Sequence, residues 1–498
     1  MFKILRINNL FYLLLVVKVI LASLLLLFYG IGLSPDEAQY WLWSQSPDWG
    51  YYSKPPGIAW VLFLSTKLLG NTVFAIRFPA VLISSLLAYL MYRLMRQCGG
   101  SEKQSVWVGV IMAFTPIGIL SSFASTTDGG FLCFWLLSCT QIVKNLRNNE
   151  PLSIPKICFF IACGLLFKWT MALMILPLFF FKGRGYFKGV LFIVVGFLPS
   201  VIWNNQHDWV TFKHVFYHNI LGSSSLTNKT WKGNFWDFFG VQFAILSPVF
   251  FILLLYSYYH LFRRRVERHW KFCGIWSVVI LGGYLIASIF TKIQPNWALF
   301  ALPTGLVWMV YCADQNLKKM TLYFYIGIIS SLLLCCLVLS VPYLQRHNLK
   351  MGTAIPWKWN VFRHQLGWER LEPIIKNESV DFLFCHTYQM VSLVSFYSPK
   401  QEPAFFFNLE GRRKNQFDFW EKPAWSTENV GLFMAYTEDD NIEFARENYL
   451  LHLREYFEDV NFAGDASLFD SYGHSVKKSL AFRCKGFRGI YPEEVSKY

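Results

Sequence analysis

Apolar runs long enough to cross a bilayer recur along this chain, and that recurrence restricts its fold more than any other feature. Roughly 20 apolar residues in an α-helix span about 30 Å of hydrocarbon. Such runs cover 10–33 and lie near 73–96, 105–122, 131–143, 187–203, 238–262, 272–290, 297–312 and 322–344. After position 344 charged residues become frequent and no further run of that length occurs. The expected architecture is an all-α polytopic membrane domain over 1–344, followed by a water-soluble domain over 345–498. With 54% hydrophobic and 15% charged residues, the chain has too little polar material to coat a soluble protein of this size.

The net charge of +15 resembles a nucleic-acid signature until it is divided. Residues 1–344 carry 27 Lys and Arg against 10 Asp and Glu, whereas 345–498 carry 19 against 21. The excess therefore sits in short loops beside apolar runs, where it sets membrane orientation. Basic loops recur at Lys3/Arg6, Arg93/Arg96/Lys103, Lys144/Arg147/Lys156, Lys182/Arg184/Lys188, Arg263–Arg265/Arg268/Lys271 and Lys318/Lys319. Placing them all in the cytoplasm satisfies nearly every span. Lys156 and Lys182 are the difficulty, because only 25 residues separate them, against about 40 for two full crossings. Two short or broken helices turning near the outer leaflet resolve it, with Lys168 near the turn. Irregular backbone at that depth requires shelter by protein or a water-filled cavity, so Lys168 is expected to line a cavity. Counting that pair as two gives eleven spans, with the amino terminus inside and the tail outside. The first run carries Lys18 and lacks a small-residue cleavage site, so it reads as a retained span.

Six of the ten acids before position 345 fall on the expected outer face: Asp36, Glu37, Asp48, Asp128, Asp208 and Asp237. Carboxylates at a membrane edge are costly and point to function. Ser34-Pro35-Asp36-Glu37 reads as a helix start, and capping is compatible with chemistry. The aromatic stretch after it leads to Tyr51-Tyr52-Ser53-Lys54-Pro55-Pro56. There Lys54 serves either as a solvated anchor or as a fixed anion contact. Asp128 either caps the following span or adds a second carboxylate beside Asp36. Two acids with Lys54 and Lys168 around one outward cavity suit hydroxyl attack and phosphate departure.

Several segments, in order, carry a family resemblance: Asp36-Glu37-Ala38-Gln39-Tyr40-Trp41, Gly50-Tyr51-Tyr52-Ser53-Lys54-Pro55-Pro56, Arg77-Phe78-Pro79-Ala80, Thr127-Asp128, Phe167-Lys168-Trp169-Thr170, 203–209, Pro295-Asn296-Trp297 and 411–420. The chain resembles the GT-C membrane glycosyltransferases of the protein O-mannosyltransferase and aminoarabinose-lipid A transferase superfamily, bacterial branch. The resemblance implies an inverting transferase that moves a sugar from a polyprenyl-phosphate donor to a hydroxyl of lipid A, core or other glycan, or protein. The reaction would lie at the outer face of a bacterial inner membrane. By motif position it implies catalytic acids Asp36, Glu37 and Asp128, and donor-phosphate contacts Lys54, Lys168 and, more weakly, Arg77. Tyr51, Tyr52, His207, Asn296 and Trp297 are expected to line the cavity; for the last three, interfacial or turn roles are the bland alternative. Ser53 departs from relatives that carry an acid before the loop lysine. A metal held by that acid is then either missing here or built from Asp36, Glu37 and Asp128; a loosely held divalent ion stays open.

A transporter or flippase of lipid-linked sugars would also need an outward basic cavity, but such folds are often built from internal repeats and none is evident here. A non-catalytic scaffold leaves Asp128 and Lys168 without a purpose. In the tail, Val380–Cys385, Val430–Ala435 and Leu480–Arg483 read as strands, and 363–376 and 442–454 as helices, giving a small α/β domain. The segment 412–420 reads as surface structure, as a cap on the cavity or as a contact for the acceptor. A disulfide between Cys385 and Cys484 is left open by spacing alone.

Overall fold

The computed structural model describes residues 7–216, 233–263, 265–347, 355–423, 425–438, 442–471 and 474–492. The basic residues Lys3, Arg6 and Arg264 lie outside them. Helices α1 (Ile7–Phe28), α4 (Val73–Gln97), α10 (Tyr186–Gln206), α14 (Arg268–Phe290), the combined segment Pro295–Asn316 and α16 (Met320–Arg346) are long and apolar enough to cross a membrane. Among the described residues two bent pairs raise six candidate spans to eight: α5 (Glu102–Phe114) with Pro116–Phe123, and α12 (Phe235–Leu246) with α13 (Pro248–Leu261). Both bends have a sequence cause. Pro116 and Pro248 cannot continue the preceding hydrogen-bond ladder, and the chain turns by 61° and 106° there.

The outward faces of these helices are apolar. Phe28, Phe179, Phe187 and Leu333 are all more than 60% exposed, a surface that suits lipid and not water. Between the helices lies a continuous core containing Leu87, Met91, Trp135, Ile142, Trp276 and Trp308. Helix α7 (Thr127–Arg147) runs through this core. It buries Gln141 and Asn145 along with its apolar residues, and the two bond each other at 2.9 Å. Neighbouring helices enclose it, so it needs no lipid-compatible surface.

The 156–182 segment breaks as its length required. Helix α8 (Ile154–Leu165) ends, Lys168 is extended, and a 3-10 turn over Trp169–Ile175 leads into Leu176–Phe180. Its base is closed by a two-residue parallel pair, β1 (Leu152–Ser153) with β2 (Gly183–Arg184).

The tail forms a five-stranded mixed sheet in the order β4-β3-β5-β7-β6. Its strands are β3 (Phe382–Cys385), β4 (Phe405–Phe406), β5 (Val430–Thr437), β6 (Phe457–Ser471) and β7 (His474–Phe487). β3 pairs in parallel with β4 and β5, while β7 runs antiparallel to β5 and β6. One face buries Phe384, Phe433, Leu453 and Phe482. The other packs helix Tyr388–Tyr397 against α2 (Pro35–Gln45) of the membrane part, in one core that includes Trp41, Trp43, Met390 and Val394. Cys385 and Cys484 are free and buried, on strands that β5 separates.

Candidate active site

Helix α2 starts where Ser34 and the acids place it. Ser34 Oγ accepts from the Glu37 N–H, and Glu37 Oε2 accepts from the Ser34 N–H at 3.0 Å, a reciprocal cap. Consecutive helical residues point about 100° apart, so Asp36 and Glu37 part company. Glu37 turns inward, 1% exposed, onto Arg77, itself 1% exposed. Arg77 Nε and Nη2 donate to its two oxygens at 2.8 and 2.7 Å, and the Ser125 N–H donates to Oε1 at 3.1 Å. Arg77 also donates to the Ile31 and Gly32 carbonyls. This corrects two expectations. Glu37 as a catalytic acid and Arg77 as a phosphate contact are both sealed in a buried pair that ties α2 to α4 and to the loop before α7.

Asp36 faces the other way. Asp36 is exposed as a residue, and its carboxylate makes no hydrogen bond among the described residues. Protein crowds the carboxylate; this burial pushes its pKa up, Lys54 opposes the shift, and Glu37 reinforces it. Tyr40, one turn along α2, feels the charges of Asp36 and Asp128 together.

Lys54 is held by a short turn. The Tyr51 N–H donates to the Lys54 carbonyl at 3.1 Å, and the two prolines end the loop. The Gly57 N–H then donates to the Leu166 carbonyl at 2.7 Å, joining this loop to the broken segment that carries Lys168. A Cβ at Gly57 would lie 2.6 Å from that oxygen, so the close approach requires glycine. The Lys54 ammonium has no hydrogen-bond or ion-pair partner among the described residues. Burial lowers its pKa, Lys168 adds to the lowering, and Asp128 and Asp36 oppose it.

Asp128 stands in the first turn of α7 and is held from both sides. Lys168 Nζ donates to Oδ1 at 2.6 Å, and Asn296 Nδ2 donates to Oδ2 at 2.9 Å. The structure thus brings Asp36, Lys54, Asp128, Lys168 and Asn296 to one place. An apolar cavity of about 320 Å³ opens from Asp128 and Asn296 between α4, α5 and α7, lined by Val61, Ile83, Leu87 and Phe167. A wider groove of about 890 Å³ along the tail, past Phe405 and Trp420, has none of the expected residues in its wall.

The tyrosines expected in the cavity wall are elsewhere. Tyr51 is 1% exposed and stacks on Trp43, with ring centroids 4.5 Å apart. Tyr52 is 4% exposed, and its N–H donates to Gln416 Oε1 at 2.6 Å. Packing against aromatic and tail residues takes both rings out of reach. Trp297 packs half-buried against the membrane core. His207 stacks flat on Trp203 at 4.0 Å, and Trp203 Nε1 donates to Asp48 Oδ2 at 2.9 Å. Phe419 of the tail closes on both rings. The segment 412–420 is therefore docked on the loops that carry Tyr52, Trp203 and His207.

A bound divalent ion does not fit this arrangement. Glu37 and Asp128 have their oxygens occupied by donors, and among the described residues no three His, Cys, Asp or Glu side chains converge.

Sequence reasoning missed Tyr40, Tyr388 and Arg413. Tyr40 had a signal, its i+4 spacing from Asp36. Tyr388 feels both Asp36 and Arg413, but it arrives from the tail through tertiary packing alone. Gly130 was missed too. A Cβ there would lie 2.4 Å from the Phe167 ring, so its absence lets Lys168 approach Asp128.

Residues 53–203 match the model of the dolichyl-phosphate-mannose-protein mannosyltransferase family. The lipid A galacturonosyltransferase RgtD of Rhizobium johnstonii is 30% identical over 290 residues, taking in 55% of this chain and 60% of that protein. Crystal structures of ArnT from Cupriavidus metallidurans share the fold. The form bound to undecaprenyl phosphate superposes with a TM-score of 0.61 at 13% identity, covering 94% of this chain and 97% of that one. The apo form gives 0.57 at 13% identity, covering 95% and 98%. These matches bear out the resemblance to bacterial GT-C membrane glycosyltransferases.

Proposed function

We propose that this chain is an inverting glycosyltransferase of the bacterial inner membrane that uses a polyprenyl-phosphate sugar and an envelope acceptor. The observation that carries the reading is a carboxylate, Asp36, and an ammonium, Lys54, both without a hydrogen-bond partner among the described residues, within electrostatic reach of each other; Lys54 also lies within reach of Asp128, which stands at the mouth of an apolar cavity. Asp36 takes the proton of the acceptor hydroxyl as its oxygen attacks the anomeric carbon. The bond from that carbon to the phosphate oxygen breaks, and its electron pair leaves with the polyprenyl phosphate. Lys54 and the free N–H groups of Lys168 stabilise the departing charge. Asp128 acts through Lys168, which it holds together with Asn296.

In the same reading the apolar cavity takes the donor's lipid end, and the amino terminus lies in the cytoplasm. The membrane part ends near position 344, and residues from 345 lie outside. Eleven passes result when α7, α8 and the 169–180 segment join the eight candidate spans. Similarity to a lipid A galacturonosyltransferase favours lipid A or a related glycan as acceptor and an acidic sugar as cargo.

Transfer from a panel of radiolabelled polyprenyl-phosphate sugars to acceptors in membrane fractions tests this. Wild type should transfer a sugar and Asp36→Asn should not. Equal transfer by both proteins would remove Asp36 from the reaction. A flippase would move the donor across the bilayer with no change on Asp36→Asn.

A further inference from the structure

The tail contains a polar pocket that the chemistry above does not use. β3 lies between two parallel neighbours, and ligands in such sheets bind beyond the carboxyl ends of the strands. Here β3 gives way to His386 and Thr387, and Thr387 Oγ1 caps the next helix by accepting from the Met390 N–H. A cavity of about 760 Å³ opens at this point, beside the end of β5. This is a volume that suits a small ligand.

Its lining is mixed. Tyr436 and Tyr449 offer aromatic rings, Lys358 and Arg412 offer donors, and Glu438 offers an acceptor. His386 also lines it, 4% exposed, and its Nδ1 has no hydrogen-bond partner among the described residues. The Nε2 side of that ring meets Tyr449 Oη at 3.1 Å and Glu410 at 3.7 Å. Glu410 in turn steadies Arg412 at 2.6 Å. Rings beside interspersed donors and acceptors match a saccharide, whose C–H faces stack while its hydroxyls bond. Of the charged side chains in the wall, Lys358 and Arg412 are cationic and Glu438 alone is anionic, so a negatively charged saccharide fits best.

The pocket adjoins the membrane site through one residue. Tyr388 opens the helix that follows Thr387 and packs against the core that holds Tyr40 and Trp41 of α2, within reach of the charges of Asp36 and of Tyr436. We propose that this pocket is the acceptor subsite, holding an anionic saccharide portion of the acceptor so that a hydroxyl extends past Tyr388 toward Asp36. The inference rests on the transferase reading and names its substrate class.

The test is binding to the full chain in detergent with no donor present. The probe is a soluble bisphosphorylated glucosamine disaccharide, with diacetylchitobiose and inorganic phosphate as comparators. Lys358 and Arg412 are exposed, so their alanine variants should fold. Binding of the bisphosphorylated probe above both comparators, weakened roughly tenfold by Arg412→Ala and Lys358→Ala but not by Lys400→Ala, supports the subsite. No binding, equal binding by all variants, or inorganic phosphate binding as well as the disaccharide overturns it. Because binding is read without turnover, failure here removes the subsite alone. Failure of the Asp36→Asn transfer assay removes the transferase reading alone.

Discussion

Asp36 and Glu37 are neighbours of similar chemistry, and the fold gives them opposite work. In the sequence both were candidate acids, because nothing local tells which of two adjacent carboxylates turns inward. The partner that decides it, Arg77, is 40 residues away. Glu37→Gln should therefore act on stability, since it leaves the buried Arg77 charge uncompensated at a cost of about 3–5 kcal/mol. Thermal unfolding in detergent would read this as a marked fall in Tm, whereas Asp36→Asn should leave Tm in place. In the proposed reaction, Asp36 and Lys54 set the pH profile of transfer. A base must be ionised, and the raised Asp36 pKa puts the acid limb above the ordinary aspartate range. The phosphate contact must be charged, and the lowered Lys54 pKa puts the alkaline limb below the ordinary lysine range. A kcat/KM profile bounded by ordinary aspartate and lysine values would contradict both assignments. Lys54→Gln should cost about 3 kcal/mol of transition-state stabilisation, on the order of a hundredfold in rate.

At the scale of elements, the breaks in the helices place the chemistry. Lys168 could be found from the sequence because charge spacing left too few residues for two full crossings. The support it needs was not legible there. Gly130 on α7 leaves room for Phe167, and an added Cβ would meet that ring at 2.4 Å. Gly130→Ala should push Phe167 and Lys168 away from Asp128, lowering transfer more than it lowers Tm; the two measurements on one preparation decide it. The bend after α5 is supported differently. Lys18 on α1 donates to the Gly118 carbonyl at 2.9 Å and to Ser84 Oγ at 3.0 Å. It thus supplies a donor to backbone near the break. In the tail, β6 was missed because Glu458, Asp459, Asp465 and Asp470 make it read as a loop; it is an edge strand with bulges, paired only to β7. Helix Tyr388–Tyr397 was missed because it is buried against both α2 and the sheet, which erases the amphipathic period. The stretch 363–376 was read as one helix. It is two 3-10 turns, Arg363–Gln365 and Trp368–Arg370, followed by an α-helix over Leu371–Lys376, with a break at Gly367, φ +87°.

For the whole molecule, the expected division near position 344 bears on how the protein is held together. The break in composition there is real, yet α2 packs in one core with the tail. Trp41 meets Phe396 edge-on at 4.9 Å, and the Leu33 N–H donates to Tyr397 Oη at 2.8 Å. Asp36 thus starts a helix clamped between the membrane part and the tail. Two independent domains would unfold in two transitions, and a substitution in one would leave the other's transition in place. A shared core makes the opposite demand. Phe396→Ala and Trp41→Ala each remove a large ring from it, at about 3–5 kcal/mol. Both should lower the same transition, whether followed by labelling of the buried thiols Cys385 and Cys484 of the sheet or of Cys139 and Cys273 among the apolar helices. Transfer should fall with them, since α2 loses the packing that fixes Asp36. If Trp41→Ala leaves the sheet's unfolding unchanged, the tail is an autonomous domain, and the position of Asp36 is set within the membrane part by Glu37 and Arg77 alone.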